Sequence, residues 1–211
     1  MSTEVFFWQP SLVDFSHSVA FNVLHSKFEN GIDQRRLASG REIGSWKFNY
    51  KIALYNIATA KQVKDQIWAF FKARKGSYDN FYLPSWQVES RLASNYAAGN
   101  NIVIDVNPAT DLEFSKTLGD QGNFMYICEN MAVTHPISTG LKHEVRRITN
   151  ISGATITIAS ALSYTYTTHA KVMKAYRVNF ASDTMPRSFS GAPFIYDTPL
   201  EFVEDIGALY A

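Results

Sequence analysis

A single cysteine, Cys128, among 211 residues excludes an internal disulfide framework and a cysteine-rich zinc site, because each needs several thiols. Folding in a reducing cytoplasm is the natural expectation. Net charge is almost absent too: 20 lysines and arginines stand against 19 acids, for a formal +1. No basic run is present to hold a phosphate backbone by counterion release, which argues against stable nucleic-acid binding. No apolar stretch approaches the ~18 residues of a membrane-crossing helix. The first ten residues carry Glu4 and lack the basic start and apolar run of an export signal. Charged residues make up 18% of the chain, below the roughly 25% of an ordinary soluble domain. Aromatics reach 14%, and interfaces favour aromatics over charge, so partners are expected to cover part of the surface.

With 46% apolar residues the chain can bury one sizeable core, and one domain carrying a second, smaller one fits its texture. Residues 19–28 and 46–55 have the β-branched and aromatic spacing of half-buried strands, with Trp46, Phe48, Tyr50, Ile52 and Leu54 sharing one face. Glu29-Asn30-Gly31 between them is a turn signal, and residues 32–45 read as a polar, partly extended loop. One helix is predicted over about 59–75. Thr59 with Gln62 supplies a cap, and Val63, Ile67, Phe70 and Phe71 form an apolar core face. Lys72, Arg74 and Lys75 complement the C-terminal dipole before Gly76 stops the helix.

After Trp86 the texture changes to short strands at 101–106, 124–128, 143–149, 154–159 and 171–180, with a hairpin at Asn150-Ile151-Ser152-Gly153. The tail, with Met185-Pro186, Ala192-Pro193 and Thr198-Pro199, is expected to be extended around one short strand near 200–203. The fold class is mainly β (α+β). Residues 1–89 with 171–211 are expected to form one unit with the helix, and residues 90–170 an inserted β module.

Catalytic chemistry finds little support. His17, His25, His135, His143 and His169 are scattered, without metal-ligand spacing. His143-Glu144 suggests an acid and base pair, but neighbours on a strand point to opposite faces and are not expected to meet a common substrate. Ser188-Phe189-Ser190-Gly191 lacks the strand that precedes a nucleophile elbow. Gly31, Gly40 and Gly44 are too widely spaced for a phosphate loop. Glu201 with Glu204 reads as a solvated face. No enzyme activity, cofactor or metal is expected.

Phe28-Glu29-Asn30-Gly31-Ile32-Asp33-Gln34-Arg35 has the form Phe-x-x-Gly-x-x-Gln-Arg. An aromatic strand, the helix and then the segment from Gly76 through Phe81 and Pro84 to Trp86 follow it in order. This arrangement resembles the distal-tail and minor-tail (tail-hub) proteins of long-tailed bacteriophages, over roughly residues 5–90 with a return at 172–180. The resemblance implies a β-sandwich with a packed helix, assembled as a ring with copies of itself, usually a hexamer, between tail tube and tail-tip hub or baseplate. It implies a bore through which DNA passes without being gripped, synthesis in the host bacterial cytoplasm, and residence in the virion tail. Residues 90–170 exceed the smallest family members and are expected to form a small β-barrel-like module decorating the ring.

The motif also has a physical reading of its own. Gly31 permits the turn, and the Arg35 guanidinium fork suits a carboxylate or carbonyls of a neighbouring subunit; a local intramolecular contact stands equally open. For Phe81 and Trp86 core packing is favoured over interface anchoring. The alternative function is a carbohydrate-binding or receptor-binding β module of a tail tip, with Tyr164, Tyr166 and Trp86 as stacking platforms. A hydrolase is a third reading, for which the sequence nominates no residue.

Overall fold

The computed structural model describes residues 5–8, 16–20, 23–27, 33–37, 45–54, 57–99, 102–107, 124–129, 142–185 and 196–205. The strands, in chain order, are β1 (Ser16–Ala20), β2 (Val23–Lys27), β3 (Asp33–Leu37) and β4 (Ser45–Leu54), followed by the helix α1 (Ile57–Ala73). Then come β5 (Phe81–Pro84), β6 (Ser90–Leu92), β7 (Val103–Asn107), β8 (Phe124–Cys128), β9 (His143–Ser152), β10 (Thr155–Ile158), β11 (Lys171–Phe180) and β12 (Tyr196–Glu204). The molecule is mainly β, and among the described residues α1 is its one helix.

A 10-stranded sheet runs β1-β4-β12-β11-β6-β7-β10-β9-β8, with β5 joined to β11. Its far end returns, because β8 also pairs with β11, so β11, β6, β7, β10, β9 and β8 make a closed circuit. Every strand pair is antiparallel, as expected where hairpins and short connections join strands. β11 organises the whole. Val172 pairs with both Ser90 of β6 and Ile127 of β8, which must therefore lie on opposite edges. Val178 likewise pairs with both Phe81 of β5 and Glu204 of β12. β8 thus occupies one edge of β11 over its first half, and β12 takes that edge over near its end.

Several expectations are corrected. Residues 19–28 do not form one strand, since β1 and β2 are separate and belong to different sheets. The segment read as a loop at 32–45 contains β3, which pairs with β2 and sets His25 opposite Arg35. Its composition, Asp-Gln-Arg-Arg-Leu, hides it, because ladder hydrogen bonds between two strands need no apolar face. β12 is longer than expected and continues through Pro199, which faces Lys51 of β4. Proline is tolerated there because β11 pairs with β12 only from Phe202 onward, so the missing N–H falls on an unpaired edge. The hairpin between β9 and β10 is tighter than expected: Ser152 pairs with Thr155, and Gly153, at φ 59°, opens a two-residue turn.

The helix begins at Ile57, so Thr59 lies inside its first turn and is not its cap. Ala58 and Ala60 favour this earlier start. At the other end Gly76, with φ 65°, donates to the Phe71 carbonyl at 3.2 Å. Its Cα lies so close to Asp183 that an added Cβ would come within 2.9 Å of the Asp183 Cα. Val63, Ile67 and Phe71 are buried in the first core cluster, whereas Phe70 is half-buried and packed edge-on against Phe6, Trp8 and Phe81. Arg74 is buried over the Phe70 ring and donates to the Asn80 carbonyl at 3.4 Å.

Phe6, Trp8, Phe81, Phe180 and Phe202 complete this first core. Phe6 and Trp8 are held by the bridge of Val5 to Tyr82 and by the hydrogen bond from Phe6 N–H to the Tyr82 carbonyl at 2.8 Å. A second cluster, including Leu92, Ile104, Met125, Ile148, Ile156 and Tyr166, fills the closed circuit. A third, with Val5, Tyr82, Tyr126, Cys128, Val145, Met173 and Ala175, joins the two halves. Alternation along β11 sends Val172 to the second core, Met173 and Ala175 to the third, and Tyr176, Val178 and Phe180 to the first. Each fully buried large apolar side chain contributes about 1.5–3 kcal/mol, so both cores carry many times that amount.

Candidate functional site

Strand β9 changes neighbours along its length. Over His143–Arg147 it pairs with β8, and from Ile148 onward with β10. Beyond β9 on that first half lies the chain at 159–166, tied by the bond from Ala159 N–H to the Arg147 carbonyl at 2.9 Å. Glu144 and Arg146, two residues apart on a strand, share a face and form an ion pair whose side chains are both largely buried. Both carboxylate oxygens of Glu144 accept the Ser163 N–H at 3.0 Å. Arg146 donates through Nε to the Ala161 carbonyl at 3.1 Å, through Nη1 to the Val145 carbonyl at 3.1 Å, and through Nη2 to Ser163 Oγ.

This clasp forms one side of a cleft of about 450 Å³. His143, Ser163 and the exposed Tyr164 line it with Glu144 and Arg146, and Phe7 and Phe70 close it from the helix side. His143 and Glu144 leave β9 on opposite faces, as adjacent strand residues do, and both border the cleft. Burial lowers the His143 pKa, and its Nδ1 is buried without a hydrogen bond. Its ring packs against Phe7 at 5.3 Å and Tyr126 at 5.7 Å. Burial, with the Glu144 carboxylate beside it, pushes the Tyr166 phenol up, and burial does the same for Tyr126.

Ser163 Oγ is held by Arg146, not by an imidazole base, and Glu144 is committed to the guanidinium and a backbone N–H. Among the described residues no group of His, Cys, Asp and Glu could hold a metal ion, and no helix is long and apolar enough to cross a membrane. A second cavity of about 390 Å³ has Phe71, Phe180, Met185 and Leu200 for its apolar part and Ser182, Thr184 and Glu201 at its rim.

The other sequence-nominated residues do not converge on one place. Gln34 and Arg35 lie on β3, opposite Ser26 and His25; Phe28 and Gly31 lie outside the described residues. Phe81 is fully buried, Pro84 is buried opposite Ala175, and Trp86 is half-buried at φ 58°, where residues 86–88 leave the ladder between β5 and β6. Tyr164, Tyr166 and Trp86 are not a joint stacking platform. Tyr166 is 0% exposed within the second core and Trp86 packs on the first, which leaves Tyr164 alone exposed, at 44%. Glu201 and Glu204, three apart on β12, face opposite ways. His17 and His25 lie on β1 and β2 and His169 is exposed. His135, Gly40, Gly44 and residues 188–191 lie outside the described residues. The clasp itself escaped the sequence reading, although the Glu-x-Arg spacing within a predicted strand was the signal for it.

No family model and no curated protein matches the chain. A solved structure similar to part of it is the Gp54 tailspike of Acinetobacter baumannii bacteriophage AP22 in complex with A. baumannii capsular saccharide. Identity is 21% and the TM-score 0.33, over 47% of this chain and 16% of the tailspike chain. The functional reading therefore rests on the chain's own residues.

Proposed function

We propose that this protein is a non-enzymatic structural subunit of a phage tail, a ring-forming adaptor that links the tail tube to the tail-tip hub or baseplate. Subunits associate head to tail, the ring is a hexamer, and its bore lets DNA pass without holding it. In this reading the sheet of β1, β4, β12 and β11 with α1 is the β-sandwich part of the ring. The closed circuit of β6 to β11 is a small β-barrel-like module carried on it.

The observation that carries the proposal is the β2–β3 ribbon. These strands bear the Gln34-Arg35 end of the motif, and they pair with each other and not with the 10-stranded sheet. A two-stranded ribbon is marginally stable alone in water, and among the described residues no third strand joins either of its edges. A neighbouring subunit that covers it supplies the missing partner, and head-to-tail repetition closes a ring when the rotation between subunits divides the circle. The near-neutral charge fits a bore that does not bind DNA.

Native mass spectrometry and negative-stain imaging of the purified chain, alone and with tail-tube protein, test the proposal. A closed ring under either condition is the expected result. A monomer under both, at concentrations well above micromolar, overturns it.

A further inference from the structure

We infer that the cleft beside the start of β9 is a binding subsite for a neutral pyranose. Its volume, about 450 Å³, falls in the range of roughly 300–1,000 Å³ typical of small-molecule sites. Charge on its floor is cancelled. Glu144 is paired with Arg146, and burial lowers the pKa of the neighbouring His143, which disfavours its charged form. An ionic ligand finds no uncompensated partner, so the site suits a neutral one.

What remains free is a small set of donors and acceptors with no uncompensated charge. A guanidinium has five N–H groups. Arg146 commits one each to Ala161, Val145, Glu144 and Ser163, which leaves one on Nη1. Ser163 Oγ accepts from Arg146 and keeps its own proton to donate. The Tyr164 hydroxyl, on a ring 44% exposed, adds a donor and an acceptor. Arg146 and Ser163 are fixed by the bonds just named, so little of their ordering is lost on binding. Phe7 and Phe70 on one side and Tyr164 on the other offer aromatic surface. A pyranose presents what this combination recognises: a rim of hydroxyls that donate and accept, around a rigid ring with an apolar face.

The test does not involve oligomeric state. Saturation-transfer NMR on the full chain is run with methyl glucopyranoside, methyl galactopyranoside, methyl mannopyranoside and N-acetylglucosamine. At least one should receive saturation at its ring protons, and Tyr164→Ala should weaken that binding about tenfold or more. Tyr164 is exposed, so its thermal midpoint should be unchanged. Tyr78→Ala, at a 76% exposed ring elsewhere on the surface, should bind as the unmodified chain does. No transfer to any of the four sugars, equal transfer in Tyr164→Ala, or equal loss in Tyr78→Ala would each overturn the proposal.

Discussion

The ring of Phe6 lies 5.1 Å, centroid to centroid, from that of Phe202, so the first described segment of the chain and the last described strand close the same core. Phe6 also meets Trp8 at 4.8 Å, Phe70 at 5.6 Å and Phe81 at 6.1 Å, and it is fully buried. Phe6→Ala should therefore destabilise the fold by about 3–5 kcal/mol, as expected for truncating a buried phenylalanine. The shift of the urea midpoint at constant slope measures it. A loss under ~1 kcal/mol would mean that the segment at 5–8 does not pack as described.

Gly76 ends α1 under two constraints at once, a left-handed backbone and the Asp183 backbone 2.9 Å from where a Cβ would stand. Gly76→Ala should cost more than ~1 kcal/mol, since the backbone strain alone is of that order. Gly99, also at positive φ but with nothing within 4 Å of an added Cβ, is the control. Its alanine variant should lose less in the same denaturant titration.

Much of the architecture was legible because the chain announces it in periodic form. β8 and β11 coincide with the predicted 124–128 and 171–180, since Phe-Met-Tyr-Ile-Cys and the long alternating run from Lys171 leave few other options. Gly76 marked the neighbourhood of the helix end, although α1 stops at Ala73 and the left-handed turn begins at Lys75, with φ 53°. Other features were hidden because their cause lies in distant residues. Pro199 looked like a strand breaker, and only the late start of pairing between β12 and β11 makes it acceptable. Tyr166 looked like a free aromatic, and only closure of the circuit buries it. The apolar quartet Val5-Phe6-Phe7-Trp8 was in plain view, but nothing local says that Tyr82 is its partner. The cleft is non-local as well: Glu144 and Arg146 are neighbours on one strand, whereas Ser163 and Phe7 reach them from far along the chain.

His143 gives a pH dependence with a definite sign. Burial lowers its pKa in the folded state below 6.5, so the unfolded chain binds the proton more readily. The resulting penalty is absent above the unfolded pKa. It grows as pH falls below 6.5, and it levels off once the folded pKa is passed. His143→Gln removes the titrating group and should flatten the stability profile on the acid side of 6.5. Chemical denaturation at a series of pH values checks this, and parallel profiles for the two proteins would contradict it.

The first and second apolar clusters, which meet β11 at its two ends, predict that residues 90–170 can be removed as a unit. Replacing them with a short Gly/Ser bridge should leave the α1-bearing part folded, with its helical circular dichroism retained. The third cluster predicts a cost: Val5, Tyr82, Met173 and Ala175 lose their cover of Tyr126, Cys128 and Val145. The deletion variant should therefore unfold at a lower denaturant midpoint than the full chain. Recovery of aggregate alone would show that the two parts do not fold separately.

Arg35 provides the sharpest separation between assembly and folding. It stands on β3 opposite His25, in a two-stranded ribbon that does not pair with the main sheet. A guanidinium offers a planar fork of donors that an ammonium cannot reproduce, so lysine should substitute poorly wherever the fork spans two acceptors of an adjoining subunit. Truncating one partner of a buried charged pair costs about 2–5 kcal/mol, against about 0–1 kcal/mol for an exposed pair. Arg35→Ala should accordingly leave the circular dichroism and thermal midpoint of the subunit unchanged while sharply reducing ring formation, with Arg35→Lys closer to alanine than to the unmodified chain. Ring counting by electron microscopy provides the measurement. Normal rings from Arg35→Ala would remove this residue from the subunit contact and leave the local contact with its own ribbon as its role.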